Sequence, residues 1–285
     1  MTLEKINAIG IVGAGTMGQG ITQVCALAGY DVLIFDSNAE QLMSGLSNIA
    51  VSFQARVDKN KLTIAQKEEA LKRVKTCDTI ERVKADLIIE AVIEKLEIKQ
   101  EIFKIIENNN SDCILATNTS SIPVTQIGAA LKRPENFAGL HFFNPAHIMK
   151  LVEIISGVST SPQTIETLKQ FSEKIGKVAI SVKDSPGFVV NRVARHYYVE
   201  ALKLLEENVS DIRTIDALLK FSGFKMGSFE LMDLIGVDVN FSVTSSMYHA
   251  FHQDAKFRPN RIQQQKVDAG HHGRKSGRGF YEYGK

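Results

Sequence analysis

The chain has 285 residues, of which 44% are hydrophobic and 23% are charged, with a formal net charge of +2 at pH 7. This length allows one large domain or two smaller ones, and the composition is ordinary for a globular protein rather than a disordered chain. A net charge so near zero gives no general attraction to nucleic acid or to a membrane, so an anionic ligand would need a local cluster of positive charge.

The cysteines are isolated along the chain, at Cys25, Cys77 and Cys113. No spacing of Cys and His is typical of a structural metal site or a redox pair, so we expect no metal, reduced thiols and a cytoplasmic protein. The amino-terminal stretch MTLEKINAIGIVG has too short an apolar run for a signal peptide, and no run approaches a membrane span.

Apolar, β-branched runs follow one another up to about residue 183. In chain order they are INAIGIVG, YDVLIFD, ADLIIEAV, CILATNT, FAGLHFF, LVEIIS and KVAISV. Amphipathic segments such as 17–27 and 97–107 lie between the early runs, and this alternation predicts βαβ units with a mostly parallel sheet. The later runs are closely spaced, which favours some antiparallel pairing.

The pattern changes after KDSPG, Lys183 to Gly187. From Phe188 onward nearly every segment has the helical period, and we expect Pro186 to lie in the first turn of a helix that ends near Glu207. The sequence therefore predicts an α/β domain over residues 1–184 and an all-α domain over residues 185–285.

A glycine motif opens the first predicted helix. In GIVGAGTMGQG, Gly13, Gly15 and Gly18 have G-x-G-x-x-G spacing directly after an apolar strand. Such glycines allow a tight turn, close approach of a pyrophosphate, and packing of the helix on the strand. Asp36 ends the next strand, where a carboxylate binds ribose hydroxyls and repels the extra phosphate of NADP. The motif predicts a Rossmann-like domain that binds NAD; FAD, or a tight turn without a ligand, is the alternative.

Roughly fifty residues separate the second strand from ADLIIEAV, more than a simple crossover helix needs. Within them, SFQARVDKNKLTIAQKEEALKRVK has a helical pattern and carries Arg56, Lys59 and Lys61. These cations could reach an anionic substrate, whereas a solvated helical hairpin is the alternative.

Polar residues interrupt the apolar stretch GLHFFNPAHIMKLVEII at His141, Asn144, His147 and Glu153. A buried polar group costs stability unless it is satisfied. Two successive strands joined by NPAHIMK could place His141 beside Glu153, where imidazole would serve as a general base oriented by a carboxylate. A structural histidine, or a carboxylate paired with a lysine, is the alternative.

Six stretches stand in order along the chain: GIVGAGTMGQGI, EAVIEKLEIKQEIF, TNTSS, GLHFFNPAHIMKLVEII, KDSPGFVVNR and GRKSGRGFYEY. Together they resemble the short, single-function L-3-hydroxyacyl-CoA dehydrogenases over essentially the whole chain. The resemblance implies a Rossmann-like domain followed by an all-helical substrate and dimerisation domain that forms a homodimer. It also implies reversible, NAD-dependent oxidation of (S)-3-hydroxyacyl-CoA to 3-oxoacyl-CoA.

The resemblance implies roles for individual residues, with the catalytic base at His141 and its carboxylate partner at Glu153. The implied substrate contacts are Ser120, Asn191, Ser52 and Lys59. The cofactor contacts expected from the glycine motif and the resemblance together are Gly13, Gly15, Thr16, Met17, Gly18, Asp36, Glu94, Lys99, Ser120, Asn144 and Lys275. His147 departs from the family pattern, which often has proline there, and could alter the acyl pocket.

We expect the substrate to be 3-hydroxybutyryl-CoA, in fatty acid metabolism. The stretch MGSFELMDLIGVDVNF also resembles enzymes that process 3-hydroxyadipyl-CoA in aromatic-acid (phenylacetate) breakdown, so that substrate stays open. A dehydrogenase of free 3-hydroxy acids and a nucleotide-binding relative without turnover are further alternatives. The Arg- and Lys-bearing insertion favours CoA over a free acid.

Overall fold

The structure is a computed structural model, and it describes residues 1–284. The chain forms two compact units, Met1–Ser185 and Pro186–Lys285. We expected the boundary at residue 184. In the described part of the chain, every helix is too short or too polar to cross a membrane.

The first unit is built on an eight-stranded sheet with the order β3-β2-β1-β4-β5-β6-β7-β8. The strands are β1 Ala8–Val12, β2 Asp31–Phe35, β3 Val74–Thr76, β4 Leu87–Glu90, β5 Ile114–Thr117, β6 Phe137–Phe142, β7 Leu151–Ser156 and β8 Val178–Lys183. Only the pairing of β6 with β7 is antiparallel. The predicted α/β domain with a mostly parallel sheet is confirmed, while the short strand β3 was not foreseen.

The α-helices of the first unit pack on the sheet or on one another. They are α1 Thr16–Leu27, α2 Ala39–Asp58, α3 Ile64–Lys72, α4 Leu96–Asn109, α5 Val124–Gly128 and α6 Pro162–Lys174. Strands β4, β5 and β6 are buried along their whole length, because a parallel sheet with helices on its faces needs apolar side chains in both directions. This explains the continuous apolar runs in the sequence.

The insertion after β2 is a pair of helices with a clear local cause. Asn38 caps α2 by accepting a hydrogen bond from the Gln41 N–H, and Thr63 forms a capping box with Gln66 at the start of α3. Asn60, at φ 53°, turns the chain between the two helices. The predicted helical stretch is therefore two helices joined by a short turn.

The second unit is helical, as expected. Its helices are α7 Val190–Glu206, α8 Ile212–Phe221, α9 Ser228–Ile235, α10 Val237–Ala250 and α11 Arg261–Asp268. The expectation that Pro186 lies in the first turn of α7 was wrong, because Gly187 and Phe188 have φ of 72° and 51° and cannot continue a right-handed helix. A core that includes Tyr198, Phe229, Met232 and Phe280 holds the helices together.

Candidate active site

A histidine and a glutamate face each other across the antiparallel strand pair. The register of β6 and β7 places His141 directly opposite Glu153. The Nδ1 atom of His141 lies 2.8 Å from Oε2 of Glu153, and the two residues are 6% and 0% exposed. An acceptor at Nδ1 favours the tautomer with its proton there, which leaves Nε2 as the ring atom that can take a proton. The geometry is that of a general base with an orienting carboxylate.

Packing holds the imidazole in place. The ring centroids of His141 and Phe143 are 4.6 Å apart. The side-chain Oδ1 of Asn118, just after β5, accepts a hydrogen bond of 2.9 Å from the Phe142 N–H and ties the end of β6 to its neighbour. Asn144 is exposed in the loop that follows β6. The end of this strand is thus fixed by backbone and side-chain contacts before any ligand binds.

The glycine turn leaves space for a phosphate group. Gly13 has φ 108°, and a Cβ there would lie 2.5 Å from the carbonyl oxygen of Ala91. A Cβ at Gly18 would collide with the carbonyl oxygen of Gly13, so this glycine allows α1 to approach β1. An added Cβ at Gly15, in contrast, would meet nothing within 4 Å. Thr16 and Met17 begin α1 there, and their free N–H groups suit an anion at the helix start.

Asp36 closes one side of this turn. Its Oδ2 accepts a hydrogen bond of 2.8 Å from the Ala14 N–H, and its Oδ1 accepts one of 2.9 Å from the Asn38 N–H. The carboxylate lines a cavity of about 600 Å³ together with Gly13 and Gly15. The apolar residues that line the same cavity include Ile80, Ile98, Ile102 and Ile105. A cavity beside the glycine turn, with a carboxylate for ribose hydroxyls and apolar residues for a flat base, fits NAD.

A buried ion pair lies behind the next strand end, and its carboxylate was not foreseen. Glu90 ends β4 with 0% exposure, and Lys99 on α4 is 1% exposed. The Nζ atom of Lys99 lies 2.6 Å from Oε1 of Glu90 and 3.2 Å from Oε2 of Glu94. The signal in the sequence was a glutamate at the end of the apolar run ADLIIE. Because Lys99 is enclosed, we propose that it does not contact the cofactor directly. It would affect cofactor binding by holding Glu94 in position.

Glu94 in turn holds the TNTSS loop. Its Oε1 accepts hydrogen bonds from the Thr119 Oγ1 at 2.6 Å, the Ser120 N–H at 2.9 Å and the Ser121 N–H at 3.0 Å. Burial alone would raise the pKa of Glu94, but the Lys99 ammonium and these donors outweigh it and lower the pKa below its usual value. Glu94 is therefore a carboxylate at neutral pH. Among the described residues the hydroxyl of Ser120 has no hydrogen-bond partner, which suits a ligand contact.

The helical insertion presents its predicted CoA residues on one side of α2. Ser52, Arg56 and Lys59 are spaced by four and three residues and so lie on one helical face. The Ser52 hydroxyl donates a hydrogen bond of 2.7 Å to Oε1 of Gln23 on α1. Lys59 is exposed at the end of α2.

Next to this face is a basic groove of about 420 Å³. Its charged or titratable lining residues are Arg56, His147, Lys150, Lys174 and Lys177, and its apolar ones include Val24, Leu27, Ile148 and Ile175. No Asp or Glu is among the lining residues. Burial lowers the pKa of His147, and the nearby charges of Arg56 and Lys177 lower it further. The groove suits a ligand with both anionic and apolar parts, and His147 has the environment of a neutral groove residue.

The remaining predicted site residues belong to the second unit. Asn191 is the second residue of α7 and is partly buried. Lys275 lies in a 3₁₀ turn, where its Nζ is 2.7 Å from Oδ2 of Asp238. The tail that carries Lys275 is anchored by Asp233, whose carboxylate accepts hydrogen bonds of 2.9 Å from the N–H groups of Phe280 and Tyr281. The substrate and cofactor roles of Asn191 and Lys275 stay predictions.

Comparison with known families gives two matches that together span the chain. The family described as "3-hydroxyacyl-CoA dehydrogenase, NAD binding domain" matches residues 8–185. The family described as "3-hydroxyacyl-CoA dehydrogenase, C-terminal domain" matches residues 187–283.

Curated relatives and solved structures agree with these matches. A 3-hydroxyadipyl-CoA dehydrogenase of Escherichia coli K12 is 45% identical over 282 residues, which cover 98% of this chain and 59% of the relative's length. A 3-hydroxybutyryl-CoA dehydrogenase of Bradyrhizobium diazoefficiens is 39% identical over 98% of this chain and 96% of its own. The crystal structure of (S)-3-hydroxybutyryl-CoA dehydrogenase from Ralstonia eutropha superimposes with a TM-score of 0.95 at 40% identity, over 99% of this chain and 100% of that one.

Proposed function

The chain belongs to the 3-hydroxyacyl-CoA dehydrogenase family and is an NAD-dependent oxidoreductase, and we propose that it reversibly oxidises short (S)-3-hydroxyacyl-CoA thioesters to 3-oxoacyl-CoA. The observation that carries this proposal is the pair of His141 and Glu153, with 2.8 Å between Nδ1 and Oε2, in the same unit as the glycine turn. Oxidation of a secondary alcohol needs a base for the hydroxyl proton and an acceptor for the hydride. Bound NAD supplies the acceptor.

The roles of the protein residues follow from their chemistry. His141 would take the proton of the 3-hydroxyl at Nε2, while Glu153 keeps the ring oriented and stabilises the imidazolium that forms. The hydroxyl of Ser120 and the amide of Asn191 would hydrogen-bond the substrate oxygen and hold C3 in position. Glu94 keeps the loop of Ser120 in place. In the reverse direction, the imidazolium of His141 would return the proton to the 3-oxo oxygen.

Two acyl groups compete as the substrate. The first candidate is 3-hydroxybutyryl-CoA, the acyl group expected from the sequence, and it is supported by relatives of that name that this chain covers almost completely. The second candidate is 3-hydroxyadipyl-CoA, supported by the name of the E. coli relative.

A substrate panel tests the proposal. We would measure kcat/KM with NAD for the (S)-3-hydroxybutyryl, 3-hydroxyhexanoyl and 3-hydroxyadipyl thioesters and for free 3-hydroxybutyrate. Thioester turnover far above that of the free acid is expected. Equal or faster turnover of the free acid would favour a free-acid dehydrogenase, and NAD binding without turnover of any compound would indicate a non-catalytic relative.

We also propose that the helical unit pairs two copies of the chain. Its large exposed apolar residues include Val193 at 67%, Leu218 at 63% and Phe221 at 92% exposure, and such residues favour a covered surface. Sedimentation equilibrium should give a mass of twice the 31.5 kDa chain. A monomer at micromolar concentration would exclude a stable dimer.

NAD should be preferred to NADP because the carboxylate of Asp36 lines the cavity where the 2′-phosphate would bind. Asp36→Ala should lower the ratio of kcat/KM for NADH to kcat/KM for NADPH by roughly tenfold or more, because the carboxylate no longer repels the 2′-phosphate of NADPH. Asp36→Asn removes the charge but keeps a hydrogen-bond acceptor for the Ala14 N–H. It therefore shows whether the effect of Asp36→Ala comes from the lost charge or from a disturbed glycine turn. Faster turnover with NADPH than with NADH in the unmodified protein would refute this role.

We infer that the basic groove and α2 bind the phosphate groups of CoA. Arg56→Ala and Lys59→Ala should each raise KM for the thioester severalfold, with kcat and NAD affinity nearly unchanged, because a contact made equally in the ground and transition states affects mainly KM. The effect should weaken with added salt. Lys72→Ala on α3 removes the same charge outside the groove and serves as the control. A KM that changes equally in all three variants would indicate a general effect of net charge.

A further inference from the structure

Arg195 is a buried cation in the helical unit. It lies on α7 with 3% of its surface exposed. Its Nη1 group donates hydrogen bonds of 3.0 Å to the carbonyl oxygen of Asn240 and 2.8 Å to Oγ1 of Thr244. Within residues 1–284, no Asp or Glu forms an ion pair with it. Burial lowers the pKa of Arg195 to about 10, so the guanidinium still carries its charge at neutral pH.

The hydrogen bonds of this guanidinium leave one edge unused. Both bonds involve Nη1, and the Nε atom is buried without a partner. No hydrogen bond from Nη2 occurs in the described structure. The Nε and Nη2 groups form the edge that binds a carboxylate through two parallel hydrogen bonds. Asn240 and Thr244 therefore orient the guanidinium and leave its carboxylate-binding edge unpaired.

Neighbouring side chains are incompletely paired as well. The Nδ2 group of Asn240 and the Oε1 atom of Gln263 are buried without hydrogen-bond partners, although Gln263 donates a bond of 2.9 Å to Oδ1 of Asn240. A buried polar group without a partner costs stability, and a buried charge without a counter-ion costs more. The unpaired donors Nε of Arg195 and Nδ2 of Asn240 are complementary to an anion, whereas Oε1 of Gln263 is an acceptor and would not contact one.

The position of Arg195 relates it to the proposed substrate. Arg195 follows Asn191 by four residues on α7, so the two side chains lie on one face of the helix, about 5–6 Å apart at their Cβ atoms. An acyl chain that extends three carbons past C3 covers roughly 4 Å when extended, from C–C bonds of about 1.5 Å. A substrate whose C3 oxygen is held by Asn191 would thus carry its sixth carbon about one helical turn away.

We propose that Arg195 binds the terminal carboxylate of a dicarboxylic acyl chain and selects 3-hydroxyacyl-CoA substrates that end in a carboxylate three carbons beyond C3. This inference rests on the proposed function, in which Asn191 binds the substrate oxygen. The carboxylate would accept hydrogen bonds from Nε and Nη2, and the Nδ2 group of Asn240 would be a further donor. A purely structural Arg195 would instead hold α7 against α10 and affect all substrates alike.

Two six-carbon thioesters distinguish a carboxylate-binding Arg195 from a purely structural one. (S)-3-hydroxyadipyl-CoA ends in a carboxylate, whereas (S)-3-hydroxyhexanoyl-CoA ends in a methyl group and is otherwise the same. The unmodified protein should have a higher kcat/KM for the adipyl thioester. Arg195→Met should lower that value by roughly 10- to 100-fold, the usual size of a hydrogen bond to a charged group, and change the value for hexanoyl less than about twofold. Arg195→Lys keeps the charge without the paired edge and should give an intermediate loss on the adipyl thioester alone.

The outcomes are distinct. An equal loss on both thioesters, or a preference of the unmodified protein for hexanoyl, would overturn the role of Arg195 while leaving the dehydrogenase intact. Absence of turnover with every thioester would instead refute the proposed function. If Arg195→Met does not fold, the inhibition constants of adipyl-CoA and hexanoyl-CoA for the unmodified protein provide the test. A site for a terminal carboxylate requires that adipyl-CoA binds more tightly than hexanoyl-CoA.

Discussion

Replacing His141 with Gln should lower kcat for the oxidation of a 3-hydroxyacyl thioester by roughly a hundred- to ten-thousandfold, the usual contribution of general acid–base catalysis. Gln keeps a polar side chain at this buried position but cannot take the proton of the hydroxyl group. NAD affinity should persist, because the glycine turn and Asp36 lie on other strand ends and are unchanged. Steady-state rates and NAD titration of the purified variant check both parts.

The second imidazole of the loop provides the control. His147 lines the basic groove, and no carboxylate pairs with it in the described structure, so His147→Gln should change kcat far less than His141→Gln. A nearly active His141→Gln beside an inactive His147→Gln would move the base to the other histidine.

Glu153→Gln separates orientation from proton transfer. It keeps the shape and a hydrogen-bonding group opposite His141 but removes the negative charge that stabilises the imidazolium. The variant should lose part of kcat in steady-state assays. Combined with His141→Gln, it should cost little more, because paired catalytic residues act as a unit. Losses that simply multiply in the double variant would contradict a coupled pair.

Lys99→Met should destabilise the protein by about 3–5 kcal/mol, the usual cost of removing one partner of a buried ion pair. The carboxylate of Glu90, at 0% exposure, would keep only the Thr117 hydroxyl at 2.7 Å and the Val92 N–H at 2.8 Å as donors. Urea unfolding measures the change. Lys104→Met, an exposed position on the same helix, should stay within about 0.5 kcal/mol of the unmodified protein.

A double variant distinguishes stability from cofactor binding. Glu90→Leu together with Lys99→Met replaces the buried pair by apolar side chains and should recover much of the lost stability. We expect both variants to bind NAD more weakly than the unmodified protein, because in each of them Glu94 lacks the ammonium group that lies 3.2 Å from its Oε2. Unfolding of Lys99→Met at the same urea concentration as the unmodified protein would show that the pair contributes nothing measurable. Full NAD affinity in the double variant would exclude a role of Lys99 in cofactor binding.

The family, the mostly parallel sheet followed by helices, and the NAD-binding domain could all be predicted from the sequence and are confirmed. These features depend on local patterns, because a strand, a glycine turn and a helix are encoded by neighbouring residues within a few turns of chain. The turn at Gly13 needs a positive φ and space, and both requirements appear directly as glycine in the sequence. The short strand β3 and the true start of α7 were missed, since three-residue strands and positive-φ breaks carry little periodic signal.

Tertiary structure alone decided which distant side chains meet. The sequence by itself indicated a histidine and a glutamate twelve positions apart, but a shift of one residue in the register of β6 and β7 would have pointed them to opposite faces of the sheet. The buried ion pair of Lys99 with Glu90 likewise joins side chains from separate elements. The same is true of Arg195, whose guanidinium is oriented by Asn240 on another helix. Burial and partner geometry are properties of packing between elements, and no local pattern in the chain encodes them.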